Sequence, residues 1–335
     1  MVALAGLSPA GEGALSPRYS VQRIPAPWGY YFLPYRINNR GEIAGTIYGQ
    51  ANGPYDGIAH AAFYNGHHTI DLHRRAPRAN FVSTSLPVDL DQKGRVLFRV
   101  LDAVPDRYFL VDHGRVTEFN RLVRRNDLIP VAMNTRGQFV GLAGGVNEDG
   151  GQPFQYSGGR VHYLGTLPGY PYGVAGGISE NGRIVGVLNA SATGDDDDAL
   201  AVIFSPDGPV DLGLPLSYAQ YVNNRGDILG TSVGGPYYGE GVLWRDGQIM
   251  QLPITPTGMN EAGDVVGFEN QGWPRRAKLY SGGTLMDLSE RVPSNSGWEL
   301  WQALDINDRG EIAGLGLWRG ELAGFVLTPL RRGSK

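Results

Sequence analysis

Three charged residues occupy equivalent positions in a repeated segment, and they are the first candidates for chemistry. Arg36, Asp89 and Asp305 each stand directly before an apolar residue that leads into a turn containing Asn or Asp. An arginine between two carboxylates can form a structural ion cluster, or it can anchor a ligand and assist proton transfer. The sequence favours the structural cluster and leaves the ligand role open. Tyr35 and Tyr221 are expected beside the cluster and belong to the same candidate ligand site.

Aromatic residues in the long connections between predicted strands form a second candidate site. Tyrosine and tryptophan often dominate the energy of binding, and function commonly resides in loops on a rigid scaffold. The alternative for each ring is that it packs between structural elements. The candidate ligand-binding residues of this group are Tyr170, Tyr172, Tyr237, Tyr238, Trp273 and Trp301.

The sequence contains no pattern typical of a metal site, a cofactor site or a catalytic nucleophile. Of the histidines, only His60 and His73 fall on predicted long loops, and no ligand spacing links them. The run Asp195–Asp198 lacks the alternating ligands of a calcium loop, so a solvated acidic loop is the better interpretation. Gly176 and Gly177 open no helix and are interpreted as part of a turn. We therefore expect neither a metal nor a cofactor.

The elements that position these candidates are seven copies of one turn. In the first copy, residues 37–45, Asn38 closes an Asx-type turn and Gly41 takes the left-handed conformation of a tight hairpin. The copies are 37 to 53 residues apart, a period that indicates a solenoid or a propeller. The glycines at this turn position are Gly41, Gly94, Gly137, Gly182, Gly226, Gly263 and Gly310.

A second hairpin follows each copy, so each repeat predicts four antiparallel strands, which is one propeller blade. The last repeat ends after its third strand, Gly324–Thr328, whereas Tyr19–Ile24 has the pattern of an outer strand. We therefore predict an all-β fold with almost no helix, a seven-bladed β-propeller of four-stranded antiparallel blades. The N-terminal strand completes the last blade and closes the ring. One domain is expected over residues 18–330, between a disordered or poorly ordered tail, residues 1–17, and a C-terminal tail, residues 331–335.

This architecture sorts the candidate residues into two places. The turns within hairpins lie on one face of a propeller. The longer connections, with the aromatic candidates, lie on the other, which we call the long-loop face. Arg36 falls on the innermost strand of blade one, between Asp89 in blade two and Asp305 in blade seven once the ring closes. The three are expected at one height near the central axis.

The alternation of the two hairpins resembles HAF-type repeats. The segment that begins Ala62-Phe63, with Gly66 and Leu72, is the best match to the second half of that repeat, and the resemblance covers about residues 19–330. In the second copy, Phe98 stands where the other copies have glycine. The resemblance implies an extracellular or secreted propeller, a class mostly without an assigned activity, although residues 1–7 lack the charged region of a signal peptide.

Composition and charge exclude several classes of function. The chain of 335 residues has 50 glycines and 22 prolines, as expected for many short strands and turns. Its net charge of −4, with both signs mixed along the chain, argues against nucleic acid as a partner. No apolar run reaches the length of a membrane span. Because there is no cysteine, disulfide and thiol chemistry are not available.

Two classes of function remain open. The first is a binding module, expected to be a monomer, that takes a small molecule, a glycan or a peptide on the long-loop face and at the channel mouth. The second is a metal-independent enzyme of the lyase or cyclase type, with its site at the channel mouth. Propellers serve both purposes. The sequence favours binding because it offers no recognised catalytic constellation.

Overall fold

A computed structural model describes residues 19–50, 56–79, 83–101, 106–144, 151–192, 198–234, 239–270, 272 and 274–330 of the chain. These residues form seven four-stranded antiparallel sheets, the blades of a seven-bladed β-propeller, which confirms the predicted fold. Helix in the described part of the chain is limited to short segments such as α1 (Phe119–Val123) and two 3₁₀ turns, His73–Arg75 and Leu288–Arg291. The predicted tails, residues 1–17 and 331–335, lie outside the described residues. The domain boundaries therefore stay a prediction.

The described chain divides into two compact units. The first unit is Phe119–Pro256, and it contains blades three, four and five. The strands of blade three are β10 (Leu128–Met133), β11 (Phe139–Ala143), β12 (Gln152–Ser157) and β13 (Arg160–Tyr163). Those of blade four are β14 (Tyr172–Ile178), β15 (Ile184–Asn189), β16 (Leu200–Ser205) and β17 (Gly208–Pro215). Those of blade five are β18 (Ser217–Val222), β19 (Ile228–Ser232), β20 (Gly241–Arg245) and β21 (Gln248–Leu252).

The second unit joins the described residues up to Glu118 with those from Thr257 onward. Blade one consists of β2 (Tyr30–Ile37), β3 (Ile43–Gly49), β4 (Ala59–Tyr64) and β5 (Thr69–Asp71). Blade two consists of β6 (Thr84–Leu90), β7 (Val96–Leu101), β8 (Arg107–Asp112) and β9 (Arg115–Glu118). Blade six consists of β22 (Thr255–Met259), β23 (Val265–Phe268), β24 (Ala277–Ser281) and β25 (Thr284–Asp287). Blade seven begins with β26 (Trp298–Ile306), β27 (Ile312–Trp318) and β28 (Glu321–Pro329).

The N-terminal strand completes blade seven. Strand β1 (Tyr19–Arg23) pairs antiparallel with β28, with Tyr19 opposite Pro329 and Arg23 opposite Phe325. The sheet order is β1-β28-β27-β26, so the outer strand of the last blade comes from the other end of the chain. The predicted pairing is confirmed. It covers the edge that β28 would otherwise expose.

The hydrophobic core lies between neighbouring blades. One cluster joins Phe32 and Ile43 of blade one with Ala313 of blade seven, and another joins Val185 of blade four with Val242 of blade five. Within each unit, neighbouring sheets therefore bury apolar faces against each other. This explains why the second strands, such as β15 with its six buried residues, are apolar throughout rather than alternating.

The repeated turn has the predicted geometry. Asn38 Oδ1 accepts hydrogen bonds from the backbone N–H groups of Arg40 and Glu42, at 3.0 and 3.1 Å. Gly41 has φ of +77°, and all seven glycines at this position have positive φ. The Asn and Gly residues therefore build turns, as expected.

The turn asparagines also bind the next blade, which the sequence did not predict. Asn38 Nδ2 donates to the backbone oxygen of Asp91 at 3.2 Å, and Asn307 Nδ2 donates to that of Asn38 at 2.9 Å. In the first unit, Asn134 Nδ2 donates to Ser179 in the same way, at 3.0 Å. These asparagines are buried. One side chain thus shapes its own turn and joins two blades.

A β-bulge interrupts the first strand of each blade, which we call the inner strand, in the six blades whose inner-strand register is described. In blade one the register shifts between Pro34 and Arg36, so Tyr35 is the extra residue. The equivalent extra residues are Val88, Val131, Gly176, Gln220 and Leu304. Because the bulge recurs at one position, Arg36, Asp89 and Asp305 are equivalent on their strands, as the alignment of the turns had placed them.

Candidate functional site

Arg36 lies in an ion cluster in the second unit. Its Nε is 3.7 Å from Oδ1 of Asp89, and the two side chains are 21% and 13% exposed. The Arg36 guanidinium also lies over the ring of Tyr35, with its carbon 4.3 Å from the ring centroid. Tyr35 is exposed, as a residue on a bulge can be. The structure thus brings together three of the predicted residues.

Asp305 completes the cluster from blade seven, and it is buried. Its Oδ2 accepts a hydrogen bond of 2.9 Å from the backbone N–H of Ile37 in blade one. Burial raises the pKa of Asp305 to about 6, against the lowering effects of the Arg36 charge and the N–H groups of Ile37 and Ile306. A Cβ added at Gly258 would overlap Oδ1 of Asp305. The carboxyl group is therefore packed between inner strands and joins blade seven to blade one.

The other sequence-predicted residues do not belong to this cluster. Tyr221 lies in β18 of the first unit, opposite Leu229. Tyr170 packs against the core between blades three and four, which is the structural alternative for an aromatic ring. Trp301 lies at a second bulge of β26, between Leu300 and Gln302. The predicted residues outside the described part of the chain are Tyr237, Tyr238 and Trp273, together with Asp195–Asp197 of the acidic run.

A cleft of about 390 Å³ lies in the first unit among blades three, four and five. Tyr172, a predicted ligand-binding residue, begins strand β14, and Asn189 lies opposite it at the end of β15. This end of blade four carries the connection from β15 to β16, so the cleft opens on the long-loop face. Tyr218 and Gln220 of blade five line it from the other side.

Glycines of β14 lie in the wall of the cleft. Gly173 and Gly176 both line it, and Gly176 is the bulge residue of blade four, where blade one has Tyr35. A Cβ at Gly176 would lie 3.1 Å from the backbone oxygen of Ala219. The interpretation of Gly176 and Gly177 as a turn is wrong, because both belong to a strand. Glycine here allows a close approach of two inner strands.

The polar groups of the cleft are held in place by their neighbours. Asn189 Nδ2 donates to Oδ1 of Asp198 at 3.1 Å, and Oδ2 of Asp198 accepts from the backbone N–H of Ser191 at 2.6 Å. In blade five, Thr231 Oγ1 donates to Oε1 of Gln220 at 3.2 Å. Within the described chain, the side chains that line the cleft carry no charge.

Two histidines form a buried pair that their spacing in the sequence does not reveal. His60 lies in β4 and His73 in a 3₁₀ turn rather than on long loops, and their rings stack with centroids 4.1 Å apart. His60 Nδ1 is 2.9 Å from Oδ2 of Asp71. Burial raises the pKa of Asp71, but the hydrogen bond and charge of His60 and the contacts of Arg74 outweigh it and hold this pKa below the usual value. Among the described residues, no group of three or more His, Cys, Asp or Glu side chains could hold a metal ion.

Comparisons with known proteins show the fold. No protein-family model matches the sequence, and no curated protein does. A puromycin-hydrolysing peptidase of Mycobacterium tuberculosis has a similar structure, with a TM-score of 0.53 and 12% identity over 96% of this chain and 56% of that chain. The extracellular domain of a putative hybrid two-component system from B. thetaiotaomicron gives a TM-score of 0.51 and 11% identity over 96% and 40%.

TolB from Acinetobacter baumannii is a further match, with a TM-score of 0.45 and 11% identity over 90% of this chain and 63% of that chain. The chain thus spans between 40% and 63% of the length of these three structures. The resemblance to HAF-type repeats stays a prediction. In the described residues, no helix has the length and apolarity needed to cross a membrane.

Proposed function

We propose that the protein is a ligand-binding β-propeller and that its ligand occupies the cleft on the long-loop face of blades three to five. The observation that carries the proposal is the cleft itself. Its volume of about 390 Å³ falls within the range of small-molecule sites, roughly 300–1,000 Å³. Two tyrosines, Tyr172 and Tyr218, line it together with a few neutral polar groups. This combination of rings and oriented polar groups is typical of ligand sites.

The ion cluster around Arg36 supports a structural role better than a binding role. Asp305 is buried and bonded to the backbone of the neighbouring blade, and Arg36 is paired with Asp89. Such contacts fix the order of the blades where the ends of the chain meet. We therefore propose the cleft, rather than this cluster, as the binding site. We also propose that the chain is a monomeric HAF-type repeat protein.

A ligand screen by thermal shift tests the proposed function. A ligand that binds only the folded protein raises the free energy of unfolding by about 2.7 kcal/mol when present at roughly 100 times its dissociation constant. We expect a hit from a library of neutral metabolites, sugars and short peptides, and we expect Tyr172→Ala and Tyr218→Ala to abolish its shift. Tyr163→Ala is the matched control, because Tyr163 is an exposed residue of β13 that does not line the cleft. A shift that survives both cleft substitutions contradicts the proposal.

A further inference from the structure

We propose that the cleft takes a neutral saccharide of one or two sugar units. The inference rests on the proposed function and adds the chemical class of the ligand. Three properties of the cleft carry it: the lack of charge among its described lining residues, the pairing of hydrogen-bond donors and acceptors on its wall, and the position of its tyrosines.

The first property is the neutral charge of the described lining. An ionised group that leaves water needs an opposite charge or several strong hydrogen bonds, and otherwise its transfer is costly. The described lining offers neutral side chains only, among them Tyr172, Asn189, Ser191, Tyr218 and Gln220. Asp198, the nearest carboxylate in the hydrogen-bond network, has one oxygen bonded to Asn189 and the other to Ser191. The described lining therefore offers an ionic ligand no charged partner.

The amide groups match hydroxyl groups, which both donate and accept hydrogen bonds. Since Asn189 uses Nδ2 to bind Asp198, its Oδ1 is the acceptor that it offers to a ligand. Gln220 has the opposite arrangement, because its Oε1 already accepts from Thr231 and its amide N–H groups are the donors. A ligand that uses the Asn189 oxygen and the Gln220 N–H groups together carries donors and acceptors on one small frame. The hydroxyl groups of a sugar meet that requirement.

The tyrosines complete the site for a sugar ring. Tyr172 and Asn189 are directly opposite each other on neighbouring antiparallel strands, so a ring and an amide stand side by side. Tyr218 reaches the cleft from the next blade. A pyranose presents C–H groups on its faces and hydroxyl groups on its rim. It can therefore pack against a tyrosine ring while its rim bonds to the amides.

Saturation-transfer NMR and titration calorimetry with defined probes test the inference. The probes are the methyl glycosides of glucose, galactose and mannose, the disaccharides maltose, cellobiose and lactose, the uronic acids of glucose and galactose, and one capped neutral tripeptide. We expect at least one neutral saccharide to bind, and its matched uronic acid to bind at least tenfold more weakly. Tyr218→Ala should raise the dissociation constant at least tenfold, and Gln220→Ala, at an exposed position, should raise it several-fold. Tyr163→Ala should leave it unchanged.

Other outcomes overturn the inference in distinguishable ways. If no saccharide binds, while the tripeptide or a library ligand binds and depends on Tyr172 and Tyr218, the ligand class is wrong and the proposed function stands. If a uronic acid binds as tightly as its neutral counterpart, the argument from charge is wrong. If a saccharide binds equally well to the wild type and to both tyrosine variants, the cleft is not the site, and the proposed function is overturned as well.

Discussion

Asp305→Asn should stabilise the protein at neutral pH, although it removes a charged partner of Arg36. Burial raises the pKa of Asp305 from 3.8 to about 6 in the folded state, a net value that already includes the attraction of Arg36. A raised pKa of an acid means that folding favours the protonated form. The contribution of this group to stability is therefore fully present below pH 3.8 and is lost as the pH rises through about 6.

The size of the effect follows from the pKa difference. About two pKa units correspond to about 3 kcal/mol in the free energy of unfolding, and most of this change falls between pH 4 and pH 6.5. The substitution keeps an oxygen that can accept the hydrogen bond from Ile37 N–H, but it cannot ionise. We therefore expect the variant to gain up to about 3 kcal/mol over the wild type at pH 7.5 and much less at pH 4.

Urea unfolding of the wild type and the variant at pH 4 and pH 7.5 measures this difference. Asp207→Asn, in an exposed turn of blade four, controls for the loss of one negative charge from the protein. We expect the difference in the free energy of unfolding between Asp305→Asn and the wild type to increase as the pH rises. A variant that is less stable than the wild type at pH 7.5, or a difference in the free energy of unfolding that does not change with pH, would refute the proposed effect of Asp305 ionisation.

Three further predictions concern the fold. Deleting residues 1–23 removes β1 and should cause unfolding or aggregation, whereas deleting residues 1–15 should not. Size-exclusion chromatography distinguishes the two results, and equal behaviour of the two deletions would disprove the closing role of β1. Asn307→Ala should lower the free energy of unfolding in urea by about 2–3 kcal/mol, because it removes the hydrogen bonds of the turn and the hydrogen bond to the next blade. The control Asn65→Ala removes hydrogen bonds of a turn alone and should cost less. Equal losses for the two variants would contradict the role of Asn307 between blades. Asp71→Asn should destabilise the protein at pH 7, and this loss should disappear in acid. The pKa of Asp71 is lowered in the folded state, so its contribution to stability is present above the unfolded pKa and is lost as the pH falls through the folded pKa. A loss of stability that is constant with pH would show that ionised Asp71 is not its cause.

The repeated turn was sufficient to predict the blades and their closure. Its glycines all have positive φ, so the sequence marks one hairpin in each blade. The missing last strand identified Tyr19–Ile24 as its replacement, and Tyr19–Arg23 of this segment forms β1. The same alignment placed Arg36 beside Asp89, because the bulge before each of them recurs and preserves their equivalence. Local turn chemistry and period thus determine the architecture.

The cleft could not be predicted because residues of three different blades form it. Gly176 reads as a turn residue in a chain with many turn glycines, and only the register of β14 and β15 reveals that it is a strand bulge in the wall of the cleft. The stacking of His60 on His73 was missed for a related reason: the two residues meet through the fold of blade one, without any ligand-like spacing. The hydrogen bond from Asn38 to Asp91 joins separate blades, so no local sequence pattern predicts it.

The pairing of β1 with β28 also sets an order of events during synthesis. Ser20 and Thr328 are hydrogen-bonded although 308 residues separate them, so β1 is synthesised before every other strand of the propeller and must wait for β28. Until then blade seven lacks its outer strand, and contacts of such long sequence separation form slowly. The nascent chain therefore carries an unpaired β1 through the assembly of every earlier blade, and a chaperone that covers this short segment would increase the yield of folded protein without touching the mature form.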